Sequence, residues 1–199
     1  MAGKTTTTAQ KKPTAKNAAK TTKQTKVAKT SAKTQKKGFC WKKVITVAVC
    51  IAIPLCAGFL SAAITGDAMK KFGQFNQPPL APPAWLFPVA WTIMYILMGI
   101  ASYFILMYKP KTKKESKMRI AALVLYCVQL VFNFVWSPVF FLVGDYFFAL
   151  MWLLAMWLMV IIVMFLIRER SMPAMWCLLP YVLWCLFAMY LNVGILLLN

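Results

Sequence analysis

From Tyr146 to Ile167 the chain runs 22 residues without a charge. At ~1.5 Å per residue, a helix of that length crosses a hydrocarbon layer ~30 Å thick. Inside lipid every backbone N–H and C=O must find its partner within the segment, and a lone apolar run achieves this only as a helix. Four further segments have the same character, at about 44–65, 85–108, 118–141 and 173–198. The expected fold is therefore all-α. It is an integral membrane bundle of five transmembrane helices over residues 44–199, behind a disordered, Lys-rich N-terminal tail over residues 1–43. The composition agrees: the chain is 61% hydrophobic, where a soluble domain is closer to half.

The net charge of +19 is unevenly placed, since 13 of the 23 basic residues lie within residues 1–43. Residues 1–38 are Lys, Thr, Ala and Gln with almost nothing apolar, too little to offset the entropy of ordering. Lysines near a membrane surface contribute ~1 kcal/mol each toward anionic lipid. Residues 4–43 are accordingly expected to contact anionic lipid headgroups. A tail that only reports topology is the plainer alternative. Nucleic-acid binding is disfavoured, because no aromatic or folded reader accompanies the lysines. The stretch has lysine but no arginine, unlike a mitochondrial presequence, so the expected location is a bacterial plasma membrane.

Lysine and arginine counts set the topology. With five spans, the tail, the 109–119 turn (six basic residues) and the 168–170 turn (two) share one side, and only Lys70 and Lys71 face the other. The positive-inside rule then places the N-terminus in the cytoplasm and the C-terminus outside. Four or six spans would scatter basic turns over both sides.

Chemistry is bounded by what is missing. The chain has no His and four acids, Asp67, Glu115, Asp145 and Glu169, all at loops or helix ends. No Ser-His-Asp triad, carboxylate pair or His-rich metal site can be assembled. A cofactor held by His is excluded with them, and no intramembrane carboxylate offers a coupling site for a driven transporter. The six cysteines are scattered and show no disulfide framework.

Three helices each offer an aromatic and polar stripe. In the second span Pro82-Pro83 force an extended approach, and Pro88 lies in the first turn. Trp91, Tyr95, Met98 and Ser102 follow on one face. The third span places Gln129, Asn133 and Ser137 four residues apart, with Trp136 beside them. The fifth places Tyr181, Trp184, Ala188 and Asn192 on one face. Such amides are either interhelical contacts or ligand contacts. Gln129 and Asn133 read as ligand contacts, Asn192 as an interhelical contact, and Trp152 and Trp157 as packing. Indole and phenol rings with a few amides suit a planar hydrophobic ligand. The first loop, 66–84, is apolar enough to be either a lid or an interfacial segment.

The block Pro82-Pro83-x-Trp85-x-Phe87-Pro88-x-x-Trp91-Thr92-x-x-Tyr95-x-Leu97-Met98-Gly99 resembles the tryptophan-rich sensory protein / translocator protein family. So do Gln129-x-x-x-Asn133-x-x-Trp136-Ser137-Pro138-x-Phe140-Phe141 and Pro180-Tyr181-x-x-Trp184-x-x-x-Ala188-x-x-Leu191-Asn192. The resemblance covers residues 44–199. It implies a five-helix membrane protein, commonly a homodimer, that binds porphyrins and has no bound cofactor of its own. By motif position, Pro82 and Phe87 would line the pocket mouth, and Trp91 and Tyr95 its wall. Gln129, Asn133, Trp136, Trp184 and Ala188 would complete it. The implied role is binding of a porphyrin or other tetrapyrrole in sensing, sequestration or transport. The alternative it implies is a light-dependent porphyrin-degrading enzyme using Trp91 and Trp184. In a third reading the polybasic tail is itself the function. The first loop departs from the family by lacking its tryptophans. No basic residue follows Tyr190, so the cholesterol motif of animal members is incomplete.

Overall fold

The computed structural model describes residues 1–3 and 41–199. Five long helices follow in order: α1 (Trp41–Thr65), α2 (Leu86–Met107), α3 (Lys113–Pro138), α4 (Tyr146–Ile167) and α5 (Met172–Leu198). All five are long and apolar enough to cross a membrane, and no strand occurs among the described residues. The expected polybasic tail falls mostly at residues 4–40, outside the described residues. Its last three positions, 41–43, are helical, because the first span starts at Trp41.

The third span also starts earlier than expected, at Lys113 rather than 118. Thr112 caps it: its Oγ1 accepts from Glu115 N at 3.1 Å, which satisfies an otherwise unpaired amide of the first turn. Glu115 Oε2 in turn accepts from Lys111 N at 2.7 Å and from the Tyr108 hydroxyl at 2.8 Å. The bond to Glu115 raises the Tyr108 pKa. At its far end α3 runs through Pro138 into a π-helical turn, Val139–Val143, which Gly144 closes with a left-handed φ of 73°.

The helices pack as a closed ring in the order α1, α2, α5, α4, α3 and back to α1. One half of the ring is solid. Met98 and Ile105 of α2, Leu153 and Met156 of α4, and Leu178 and Tyr181 of α5 are fully buried there. This is the half beside the basic turns. Helix α1 contributes little to it: among its residues only Pro54, Ser61 and Thr65 are buried.

Two prolines and two glycines decide how α1 joins the ring. Pro138 has no N–H to give the carbonyl four residues back. That carbonyl, Phe134 O, instead accepts from Ser61 Oγ of α1 at 2.7 Å. Thr65 Oγ1 lies 3.1 Å from Ser137 Oγ, so α1 and α3 share a second polar contact. Pro54 likewise leaves Cys50 O without its helical donor, and Gly99 of α2 packs there. A Cβ at Gly99 would fall 2.5 Å from Ile51 Cα and 2.7 Å from Cys50 O. A Cβ at Gly58 would fall 2.1 Å from the Tyr95 ring.

The first loop begins with a 3₁₀ segment, Gly66–Gln74, and then fastens to α5. Asn76 N donates to Asn199 Oδ1 at 3.0 Å, and Asn199 Nδ2 donates to Asn76 O at 3.1 Å. The Tyr190 hydroxyl donates to Pro79 O, and buried Pro78 fills the space beside Gly194. Phe75 meets Tyr146 edge-on at 5.6 Å.

Candidate functional site

The half of the ring nearer the first loop is hollow. Its cavity has a volume of about 750 Å³, within the range of small-molecule sites. Its walls are the second half of α1, the start of α2, the end of α3 and the end of α5. Helix α4 supplies no wall, because its neighbours α3 and α5 stand in front of it.

The α2 stripe runs from this cavity into the solid core. Trp91 and Tyr95 border the cavity, while Met98 and Ser102, one and two turns deeper, are buried. Trp91 is the hub of the aromatic wall. Its ring stacks on Tyr95 at 5.7 Å and lies 6.2 Å from Trp136, 6.3 Å from Tyr181 and 6.4 Å from Trp184. Trp136 continues the wall by stacking on Phe140 at 5.2 Å. The Trp136 indole N–H is used elsewhere, donating to Ala149 O at 3.2 Å.

Behind the rings lies a hydrogen-bonded chain. Tyr95 Oη donates to Asn133 Oδ1 at 2.6 Å. Asn133 Nδ2 and Gln129 Nε2 both donate to Tyr181 Oη, each at 2.7 Å. The chain ties α2, α3 and α5 together and fixes the orientation of Asn133 at the cavity wall. On the α5 side, Asn192 also borders the cavity. In the orientation that satisfies both its atoms, its Nδ2 donates to Tyr146 O at 2.9 Å and its Oδ1 accepts from Leu150 N at 3.3 Å.

Six of the nine expected site residues border the cavity: Phe87, Trp91, Tyr95, Asn133, Trp136 and Ala188. Three do not. Gln129 lies one turn deeper than Asn133, where the ring is solid; it is 1% exposed and committed to Tyr181. Its bond joins α3 to α5. Pro82 stands before the rim, which Ala84 and Trp85 form instead. Trp184 sits one turn below Ala188 and faces Phe87 at 6.3 Å and Trp91 edge-on at 6.4 Å. It supports the wall from behind, and its buried indole N–H meets no acceptor among the described residues.

Sequence reasoning missed α1. Leu55, Gly58, Phe59, Ser61 and Ala62 all border the cavity. The small pair Ala57 and Ser61, four residues apart, is the sequence signal for a close neighbour here, and it carries no hint of a pocket. Trp152 is packing, as expected: it stacks on Phe132 at 4.2 Å and donates to Phe132 O at 2.8 Å.

Among the described residues, the cavity lining contains no Lys, Arg, Asp or Glu. Its polar side chains among the described residues include the hydroxyls of Ser61, Thr92, Tyr95 and Ser137 and the amides of Asn133 and Asn192. A neutral pocket of stacked rings with a few fixed dipoles binds flat apolar molecules and orients them by hydrogen bonds.

A sequence model described as the TspO/MBR family matches residues 50–198. The tryptophan-rich protein TspO of Chlorobaculum tepidum is 34% identical over 159 residues, covering 79% of this chain and 98% of that protein. The tryptophan-rich sensory protein of Cereibacter sphaeroides is 33% identical over 140 residues, covering 69% and 84%. The translocator protein of Bos taurus is 33% identical over 141 residues, covering 70% and 82%.

Proposed function

The chain belongs to the TspO/MBR family, and on that premise we propose that it binds a planar hydrophobic ligand, a porphyrin or related tetrapyrrole, within the membrane. The observation that carries this reading is Trp91. Four rings surround it within 6.4 Å, and its remaining side borders a cavity of about 750 Å³. Offset and edge-on ring contacts of this kind suit a flat π-system laid against the wall. Among the described residues the lining holds no cation, so any carboxylates on the ligand belong at the rim near Trp85, where water is available. Asn133, held by Tyr95 and Tyr181, would orient ring substituents.

The role is binding for sensing, sequestration or transport, in a bacterial plasma membrane with the N-terminus cytoplasmic and the chain paired as a homodimer. The light-dependent degrading reading draws on the Trp91–Trp184 contact at 6.4 Å. It needs a product, whereas binding does not.

The test is a tryptophan-fluorescence titration of the purified protein with protoporphyrin IX in the dark, beside Trp91→Phe. Saturable quenching in the parent, weakened in the variant, is the expected result. Absence of saturable quenching in the parent removes the tetrapyrrole reading. A repeat under light, with Trp91→Phe/Trp184→Phe as control, looks for a product that the double variant fails to make.

A further inference from the structure

The cavity wall is not equally thick all round. Every lining residue from α3 and α5 is buried or half-buried. The exposed lining residues all lie on α1 (Phe59, Ala62), just before α2 (Ala84, Trp85) or in the first two turns of α2 (Pro88, Thr92). Phe59 is 75% exposed and Trp85 65% exposed. Phe59 and Ala62 lie well inside an apolar span, so what they are exposed to is hydrocarbon. Trp85, just before α2, suits the membrane–water interface.

The contacts of α1 explain why the thin side is there. Toward the basic turns, Gly99 seats α2 directly on the α1 backbone at Cys50 and Ile51. At mid-depth Gly58 receives the Tyr95 ring. Beyond Gly58, the polar contacts of α1 go to α3 instead: Ser61 to Phe134 O and Thr65 to Ser137. No hydrogen bond crosses from this half of α1 to α2 among the described residues. The helix is pinned on its α3 edge, and its α2 edge borders the cavity with Phe59 and Ala62.

We infer that the cavity opens sideways into the bilayer between α1 and α2, and that its ligand is a molecule already dissolved in the membrane. Such a ligand slides in flat, apolar edge first, with its polar groups held at the interface level of Trp85. Ala62 and Thr92 line the passage and determine its width. The nature of the ligand rests on the binding function proposed above; the passage rests on the exposure pattern and the contacts of α1.

The test reads the passage without any porphyrin. A full-length variant with all six cysteines changed to Ala receives Ala188→Cys or, separately, Leu191→Cys, both on the cavity wall. Each is placed in phosphatidylcholine nanodiscs and labelled with a long-chain N-alkyl maleimide, which partitions into the bilayer, or with a charged, water-soluble methanethiosulfonate. The expected result is labelling by the alkyl maleimide at least about tenfold faster than by the charged reagent, each compared with its own rate on free cysteine. Adding Ala62→Trp should slow the alkyl maleimide by a similar factor, while labelling at Val131→Cys, on the lipid-facing side of α3, stays unchanged. Equal labelling by the charged reagent, indifferent to Ala62→Trp, overturns the passage and favours a route from the water side. So does failure of both reagents at both positions while Val131→Cys still labels. A protein that passes this test yet gives no protoporphyrin quenching keeps the passage and loses only the tetrapyrrole reading.

Discussion

Tyr181 Oη takes two amide N–H groups at once, from Gln129 and Asn133. Tyr181→Phe keeps the ring and removes the one oxygen that accepts from both, leaving two buried amides short of a partner. The expected loss is about 1–2 kcal/mol, read as a lowered midpoint in thermal unfolding in detergent. An unchanged midpoint would mean the two amides find other acceptors. The two glycines of the α1–α2 contact should behave differently from each other. At Gly99 an added methyl meets backbone, which cannot swing aside, so Gly99→Ala should cost about 1–3 kcal/mol. At Gly58 the obstacle is the far end of the Tyr95 side chain. Gly58→Ala should displace that ring and disturb the wall, weakening ligand binding more than it lowers the unfolding midpoint. The opposite ranking in the two assays would contradict this assignment of rigid and movable neighbours. The stripe Trp91, Tyr95, Met98, Ser102 was legible in the sequence because helical spacing alone puts those residues on one face. Its division into a cavity half and a buried half was not, because depth along the ring depends on which neighbours fill it. Gln129 stands apart from the cavity for that reason: its chemistry matches that of Asn133, and one turn of depth separates a buried contact from a cavity wall.

At the scale of elements, the spans were legible because lipid demands long apolar runs, and four of the five observed helices both start and end within three residues of expectation. The exception is α3, whose first turn is Lys-rich. The stretch 109–119 was read as a basic turn, yet the Thr112 cap starts a helix within it. The first loop was legible as too apolar for open solvent but not as fastened to α5. Asn76 and Asn199 lie 123 positions apart, and no local signal links them. Asn199→Ala should release this contact. Backbone amides of residues 75–82 should then exchange with deuterium faster, while α2 and α4 keep their protection. Unchanged exchange in the loop would show that Tyr190, Pro78 and Phe75 suffice to hold it.

At the scale of the molecule, the ring is solid beside the basic turns and hollow at the other end. The lysine and arginine counts therefore predict which half of the membrane holds the cavity: the half away from the cytoplasm. Single cysteines at Lys111 and Glu169 in a cysteine-less background should be protected from a membrane-impermeant thiol reagent added to intact cells. One at Asn76 should react. The reverse pattern would invert the molecule and place the cavity in the cytoplasmic half. The five-helix fold could be read from hydropathy, but the closed order of the ring could not. That order is set by small residues and freed carbonyls, such as Gly99 at Cys50 and Ser61 at Phe134, whose partners lie in distant segments.

The crowding of rings around Trp91 has an optical consequence. Indoles at 6.2 and 6.4 Å, one tilted at 37° and one nearly perpendicular at 87°, are close enough for their transition dipoles to couple. Their near-ultraviolet absorption then belongs to the group rather than to any one ring. A molecule that wedges the rings apart by a fraction of an ångström changes the sign and size of the resulting circular-dichroism bands. The cavity thus carries its own built-in chromophore, which reports occupancy even by ligands that neither absorb nor fluoresce.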